Sequence, residues 1–188
     1  MIVFKEEGAV CLDDGKDVIV FPLKKEELDL LLEVGNKVFS NYIGVEYDGD
    51  DVWAPDFLKV ANLKLDILEQ DADFWELNTI WLIVSAKHKK IVGDFYFKSL
   101  PIDGRVEIEF RINPKYYGQN ITLSAVSLIT DWAFENSVNC LSVNCNEQDD
   151  EIVKALKGNN FKKIKANNQI CNYEKNKIIK FERDFLND

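Results

Sequence analysis

Residues 105–135 read RVEIEFRINPKYYGQNITLSAVSLITDWAFE, and this stretch decides the fold. From Arg105 to Ile112, polar and apolar residues alternate, which predicts a strand with one buried face and one polar face. An Asn-Pro pair ends this strand, and Gly118 then permits a tight backbone turn. Apolar residues recur at helical spacing from Thr122 onward. The stretch therefore predicts a strand, a glycine-bearing turn and a helix in direct succession.

The junction of this turn with the helix has the chemistry of an anion site. The first peptide N–H groups of a helix lack partners within the helix and lie at the positive end of its dipole. A turn that leads directly into them can hold a phosphate or a diphosphate.

The polar face of the strand carries candidate acid–base groups. Glu107 and Glu109 point to the same side, about 7 Å apart. Burial that raises the pKa of either carboxyl toward neutrality would let it take a proton from an ammonium group. The alternative is a solvated strand face on which Arg111 pairs with Glu109.

Several residues of this stretch match a known sequence pattern. The segments upstream of it, Ile91 to Asp94 and Phe97-Lys98 followed by Pro101, fit the strand that would precede it. The matching positions are Gly104, Val106-Glu107-Ile108, Phe110, Pro114, Tyr116, Gly118, Ala125, Ile129 and Trp132-Ala133-Phe134. In this register the stretch resembles the acyl-CoA-binding segment of the GNAT superfamily of N-acetyltransferases. The resemblance is to the RimJ/RimL-like branch that acetylates protein N-terminal amines.

The turn departs from the pattern of that family at two positions. Lys115 stands where the family has Arg or Gln, and Asn120 replaces the last small residue of the turn. Asn adopts positive φ more readily than most residues, so the turn can keep its shape. The Asn120 side chain, however, stands where a diphosphate would have to approach.

The resemblance implies a fold and an activity. The expected fold is α/β (α+β), with a mixed, mostly antiparallel sheet flanked by helices on both faces, and the order of predicted elements agrees. The expected reaction moves an acetyl group from acetyl-CoA to a primary amine, on a protein N-terminus or a small amine, by direct attack. Glu107 is the favoured base and Glu109 the second candidate. The residues expected to contact acetyl-CoA are Phe110, Ile112, Lys115, Tyr116, Tyr117, Gly118, Gln119, Asn120 and Asn146.

The group that protonates the leaving thiolate is not evident in the sequence. Relatives commonly use a Ser or Tyr hydroxyl near the later helix, but Asp149 and Leu156 occupy the aligned positions. Tyr173 or a water would then serve. A second hypothesis is therefore kept open, in which a GNAT-like scaffold has lost transfer and acts as a binding or interaction module.

Composition limits the remaining possibilities. The 188 residues, 46% of them hydrophobic, predict a single domain over 1–188, with residues 1–17 as an N-terminal hairpin extension. A net charge of -10 without a basic stripe argues against nucleic acid, because phosphate backbones need clustered cations. The absence of a leader and of a long apolar run predicts a cytoplasmic protein without a membrane partner. Monomer and homodimer both remain open.

Other single residues and segments give weaker expectations. The four cysteines lack metal-ligand spacing and are expected to be free and buried, and no metal site is expected. The acidic and aromatic residues of 41–53 form either a solvated loop or a wall for an ammonium group. His88 lies on the basic tip of a predicted hairpin and is expected to be far from the turn at Gly118. Predicted closing strands are Phe161–Ile164, Ile170–Tyr173 and Ile178–Phe185, with a turn at Glu174–Asn176.

Overall fold

The structure, a computed structural model, describes residues 10–47, 56–71 and 73–178. Its strands are β1 (Leu12–Asp13), β2 (Val18–Pro22), β3 (Ile80–Ser85), β4 (Lys90–Phe97), β5 (Arg105–Ile112), β6 (Cys140–Asn146), β7 (Lys162–Asn167) and β8 (Ile170–Asn176). Its α-helices are α1 (Lys25–Tyr42), α2 (Phe57–Gln70), α3 (Trp75–Asn78), α4 (Ile121–Glu135) and α5 (Asp150–Gly158), and a 3₁₀ helix spans Pro114–Tyr116.

These strands form one sheet in the order β1-β2-β3-β4-β5-β6-β8-β7. Neighbouring strands are antiparallel except for β5 and β6, which are parallel. Two parallel strands cannot be joined by a tight turn, so the chain crosses over the sheet through α4 between them. The predicted mixed, mostly antiparallel sheet is confirmed.

Helices cover both faces of the sheet, and each face has its own apolar core. Buried residues of α4 and α5, such as Ile129, pack on strand residues such as Trp81. On the opposite face, buried residues of α1 and α2, such as Leu28, pack on strand residues such as Leu82. The predicted α/β class with helices on both faces is confirmed. Strand β5 gives the first core its predicted alternate residues Val106, Ile108, Phe110 and Ile112.

The central helix is held to the sheet by aromatic packing. The ring centroid of Trp132 on α4 lies 4.7 Å from that of Trp81 and 5.9 Å from that of Phe97. Aromatic pairs at these distances add stabilisation beyond the area that they bury. Trp132 is therefore a core residue, as predicted, and it fixes the helix that follows the turn.

The first helix differs from the predicted amphipathic pattern at its carboxyl end. Helical spacing over residues 26–39 predicts Leu28, Leu31 and Val38 on one buried face. Val38 is 53% exposed, however, whereas Phe39 is fully buried. Gly35 interrupts α1 with φ 72° and ψ 172°, which only glycine adopts at little cost. The interruption rotates the last turns of α1, so the residue that faces the sheet changes.

The last strands of the described chain also differ from the expected ones. Glu174–Asn176 was predicted as a turn but belongs to β8, because these residues pair with Cys140, Leu141 and Ser142 of β6. The chain reverses between β7 and β8 instead, where Asn168 has a φ of 55°. At the other end, β1 and β2 form an antiparallel hairpin. The sequence also has a β-like run at residues 1–4, which lies outside the described residues, as does all of the predicted strand Ile178–Phe185 except Ile178.

Strands β4 and β5 approach each other closely at Gly93. A Cβ at this position would overlap the Arg111 carbonyl oxygen and lie 2.8 Å from Cδ1 of Ile112. Because backbone atoms of a paired strand cannot move aside, Gly93→Ala is expected to lower the free energy of unfolding by about 2–3 kcal/mol. Urea denaturation measures this change.

Gly158→Ala is the matched control. There a Cβ would meet only the side chain of Leu123, whose Cδ1 lies at 2.6 Å and is the end of a flexible side chain. Alanine is also favoured over glycine in a helix by about 1 kcal/mol. A Gly93→Ala protein as stable as the Gly158→Ala protein would contradict this account of the sheet.

Candidate active site

Strands β5 and β6 separate from each other toward their carboxyl ends. Their parallel ladder ends at the pair Ile108 and Val143. Both strands continue beyond this pair, β5 to Ile112 and β6 to Asn146, and each keeps its outer neighbour. An opening between two strands of the central sheet is the result.

The backbone of β5 beyond the ladder faces this opening. Backbone groups of successive strand residues point to opposite sides of the strand. The carbonyl of Glu107 accepts a hydrogen bond from the N–H of Lys98, at 2.9 Å, on the β4 side. Phe110 and Ile112 are offset from Glu107 by an odd number of residues, so their N–H and C=O groups are directed toward β6. In the described part of the chain the β5–β6 ladder does not use these groups.

The turn between β5 and α4 has a well-defined backbone. The Asn113 side chain accepts a hydrogen bond from the N–H of Lys115, at 3.0 Å, and the buried ring of Tyr116 anchors the 3₁₀ turn. Gly118 and Asn120 both have positive φ, 77° and 62°, and Asn120 stands at the N-cap of α4. The prediction that asparagine tolerates positive φ here is confirmed.

A carboxylate already lies against this turn. Oε2 of Glu151, on α5, accepts a hydrogen bond from the N–H of Gly118 at 3.0 Å. Its Oε1 accepts from the hydroxyl of Thr122 at 2.9 Å. The N–H of Gly118 is therefore oriented toward an anion, and in this structure the anion belongs to the chain itself.

Three polar cross-strand pairs line the β4–β5 face that α1 and α2 cover. Opposite residues in the register are Asp94 with Arg111 and Tyr96 with Glu109. Just beyond β4, Nζ of Lys98 lies 2.6 Å from Glu107 and 3.2 Å from Glu109. The two carboxylates predicted as acid–base candidates thus hold one ammonium group between them.

The electrostatics of this cluster favour the ammonium form of Lys98 and the neutral form of Tyr96. Burial lowers the pKa of Lys98, but its hydrogen bonds with Glu107 and Glu109 and their charges together raise it. The hydroxyl of Tyr96 is hydrogen-bonded to Glu109, and burial followed by the charge of Glu109 raises the pKa of Tyr96 to about 12. Both neighbours of Glu109 are therefore protonated at neutral pH.

Arg111 does not pair with Glu109, so this prediction was wrong. Nε of Arg111 donates to Oδ1 of Asp94 at 2.8 Å, and Nη2 donates to the same oxygen. The guanidinium lies 5.3 Å from the ring centroids of both Phe57 and Tyr96. The antiparallel register sets the choice, because it places Asp94 directly opposite Arg111.

Lys64 of α2 is a buried cation that sequence patterns did not reveal. Its Nζ donates to the carbonyl of Phe97 at 2.7 Å and lies 5.8 Å from the ring centroid of Tyr96. Burial lowers the pKa of Lys64 to about 8. The period-two pattern of Asp94, Tyr96 and Lys98 was a usable signal for the polar strand face, but nothing local pointed to Lys64.

The prediction that His88 lies far from the turn at Gly118 was wrong. Nε2 of His88 lies 2.8 Å from Oε1 of Gln119, and its ring centroid lies 5.3 Å from that of Tyr116. The tip of the β3–β4 hairpin lies beside the carboxyl end of β5, because β4 and β5 are antiparallel neighbours. The basic tip thus reaches the turn.

The positions aligned with the hydroxyl groups of relatives have structural roles. Asp149 is the N-cap of α5 and accepts a hydrogen bond from the N–H of Ile152 at 3.2 Å. Leu156 is fully buried in the core. Tyr173 is also buried, and burial raises its pKa. The side chain of Asn146 accepts from the N–H of Gln148 at 2.9 Å, at the end of β6.

In the described part of the chain, the cysteines, the candidate metal ligands and the helices point to no further site. All four cysteines are free, and Cys140 and Cys171 are buried as expected. Contrary to expectation, Cys145 is only partly buried, and Cys11 is exposed because it precedes the short edge strand β1. Among residues 10–47, 56–71 and 73–178, no group of three His, Cys, Asp or Glu could hold a metal ion. The helices in these ranges include none long and apolar enough to cross a membrane. Most of the acidic part of the 41–53 loop lies outside the described residues.

A central sheet that opens between two parallel strands, with a turn whose amide donates to a carboxylate before the next helix, defines an α/β fold suited to binding an anionic ligand at the helix entrance. The family model described as "Acetyltransferase (GNAT) domain" matches residues 18–162. The chain therefore belongs to the GNAT acetyltransferase family. It is an acyl-CoA-dependent N-acetyltransferase, and acetyl-CoA is its co-substrate.

Solved structures share this fold at low sequence identity. The ribosomal-protein-S5-alanine acetyltransferase from Vibrio fischeri is 16% identical, with 89% of this chain and 96% of that chain covered and a TM-score of 0.62. RimL, a ribosomal L7/L12 alpha-N-protein acetyltransferase in complex with coenzyme A, is 12% identical, with 89% and 98% covered and a TM-score of 0.60. A GNAT-family acetyltransferase from Bacillus anthracis is 10% identical, with 89% and 98% covered and a TM-score of 0.56. No curated protein matches the chain at a significant level.

The buried carboxyl of Asp94 gives a pH-dependent prediction. Burial raises its pKa from 3.8 to about 6, the charge and hydrogen bonds of Arg111 oppose this shift, and the charge of Glu109 adds to it. Between these two values the folded chain keeps a proton that the unfolded chain has released. The stabilisation from Asp94 is therefore complete below about pH 4 and is lost as the pH rises through 6.

Asp94→Asn removes this dependence. The free energy of unfolding of the unmodified chain, minus that of Asp94→Asn, is expected to fall by up to about 3 kcal/mol between pH 4 and pH 7. Urea denaturation across this pH range measures the difference. If this difference in unfolding free energy stays constant or rises with pH, then Arg111 keeps the Asp94 carboxylate ionised.

Proposed function

We propose that the chain acetylates a primary amine, on a protein N-terminus or a small molecule, by direct attack of the amine on acetyl-CoA. The observation that carries the proposal is the ammonium of Lys98, held by Glu107 and Glu109 on the strand that borders the opening. A pair of carboxylates that holds one ammonium offers the same chemistry to the ammonium of an acceptor.

The proposed co-substrate site combines the opening and the turn. The backbone of Phe110 and Ile112 would contact the pantetheine part, and the turn from Lys115 through Tyr116, Tyr117, Gly118 and Gln119 to Asn120 would hold the diphosphate. Asn146, at the end of β6, would line the other side of the opening. Support comes from the Gly118 amide, which donates to a carboxylate in this structure and so fits an anionic group.

Acetyl-CoA supplies an activated thioester, and the chain must supply proton transfer and charge stabilisation. Glu107 is the proposed base, because its carboxylate is partly buried and lies 2.6 Å from an ammonium nitrogen. A strand N–H in the Phe110 to Ile112 segment would stabilise the negative charge that develops on the thioester oxygen. Glu109 would orient the amine through its contacts with Lys98 and Tyr96.

Protonation of the leaving thiolate is assigned to water. Asp149 and Leu156 carry no hydroxyl, and the Asp149 carboxylate accepts a hydrogen bond within α5. Tyr173 is buried at 2% exposure, which limits its access to a leaving group. We further infer that residues 1–188 act as one domain, because the described strands share a single sheet.

Glu107→Gln is the test of the proposed base. Loss of general-base catalysis is expected to lower kcat by about 10²–10⁴-fold, with little change in acetyl-CoA affinity. Thiol release over a panel of N-terminal peptides, polyamines and small amines measures the rate. Glu109→Gln is the matched control on the same strand face and is expected to cost less in kcat. Equal losses of kcat in the two variants would contradict the assignment of Glu107 as the base.

Acetyl-CoA binding and amine turnover, measured together, separate an active enzyme from a scaffold that has lost transfer. Acetyl-CoA at about 100 times its Kd is expected to add about 2.7 kcal/mol to the free energy of unfolding. Thermal denaturation with and without the ligand measures this increase. The missing hydroxyls at Asp149 and Leu156 favour the scaffold, and binding without turnover on any amine would support it. No stabilisation at millimolar acetyl-CoA would contradict both functions.

A further inference from the structure

The carboxylate of Glu151 occupies the place where the co-substrate diphosphate is proposed to bind. Its two oxygens accept hydrogen bonds from two separate donors, the Gly118 N–H at 3.0 Å and the Thr122 hydroxyl at 2.9 Å. These donors flank the start of α4, where the dipole of the helix is positive. The side chain therefore makes the contacts that an anionic ligand at this turn would make.

Glu151 reaches the turn from a different element. It lies in the first turn of α5, which packs against α4 on the same face of the sheet. The contact joins two elements that are separate in sequence, and a glutamate side chain has several rotatable bonds. The carboxylate can thus leave the Gly118 amide by a rotamer change while α5 stays in place.

Two carboxylates lie near the side chain of Tyr117, the residue that precedes Gly118. Tyr117, next to Gly118, has its pKa raised by burial and then by the charges of Asp149 and Glu151. A diphosphate brought to the same amide would add further negative charge at hydrogen-bond distance. Like charges at that separation repel, so the ligand and the carboxylate cannot share the Gly118 N–H.

We propose that Glu151 is an internal competitor for the diphosphate part of acetyl-CoA, so that co-substrate binding requires its carboxylate to leave the Gly118 amide. The proposal rests on the proposed function, because it assumes that the turn is the diphosphate site. Glu151 thereby sets the affinity for the nucleotide part of the co-substrate and leaves the acetyl-transfer chemistry unchanged.

Glu151→Gln tests the competition. The amide removes the charge but keeps the size, so coenzyme A is expected to bind roughly tenfold more tightly by calorimetry. S-acetylpantetheine lacks the nucleotide and is expected to bind the variant and the unmodified chain equally. In steady-state kinetics the KM for acetyl-CoA should fall while kcat stays the same, a split that a merely structural residue would not give.

Asp150→Asn is the matched control, because it removes the same charge from the neighbouring exposed position of α5. It is expected to change coenzyme A affinity by less than about twofold. If both variants bind coenzyme A more tightly by the same factor, the effect comes from net charge alone and the proposal is overturned. Unchanged or weaker coenzyme A binding by Glu151→Gln would also overturn it. Urea denaturation of each variant confirms that it folds.

Glu151→Asp gives a second measurement that does not remove the charge. The side chain is one methylene shorter and is expected to withdraw from the Gly118 amide, so coenzyme A should again bind more tightly than to the unmodified chain. Affinity equal to that of the unmodified chain would contradict competition for the amide. If neither the unmodified chain nor any variant binds coenzyme A, the proposed function itself fails, which is distinct from failure of the competition.

Discussion

The parallel pairing of β5 and β6, which stops at Ile108 and Val143, is the constraint on which the rest of the structure depends. Parallel neighbours need a crossover, so α4 must begin just after β5 and lie on the sheet before the chain enters β6. The early end of the ladder leaves the backbone of Phe110 and Ile112 directed toward an opening. Both halves of the proposed co-substrate site, the opening and the helix entrance, follow from this one pairing.

The chain places its own charged groups where the charged groups of its substrates are proposed to bind. The ammonium of Lys98 lies between Glu107 and Glu109, and the carboxylate of Glu151 lies against the Gly118 amide. The ion pairs of Lys98 are partly exposed and contribute little to stability, so the ammonium of a ligand can replace Lys98 at modest cost. The Asp94–Arg111 pair is different, because both groups are largely buried and no ligand can easily replace either partner.

Sequence patterns predicted the fold well because local periodicity reports burial directly. The alternation in β5 and the helical spacing in α4 each placed the buried residues correctly. The errors at His88, Arg111 and Glu174 came from partners that are distant in sequence. His88 contacts Gln119, and Arg111 contacts Asp94, because antiparallel register brings hairpin tips and strand partners together. Glu174 extends β8 because β6 offers it a partner strand, although its local sequence resembles a turn.

The sequence by itself determined the strand, turn and helix of residues 105–135, the family to which they belong and the two carboxylates on one strand face. Those features depend on residue spacing, which is local and periodic. Only the tertiary structure decided which charges meet: Lys98 with the two glutamates, Arg111 with Asp94, and Glu151 with the turn. Ionic and hydrogen-bonded partners are selected by distance in three dimensions, and that distance is set by strand register and helix packing, which no local pattern encodes.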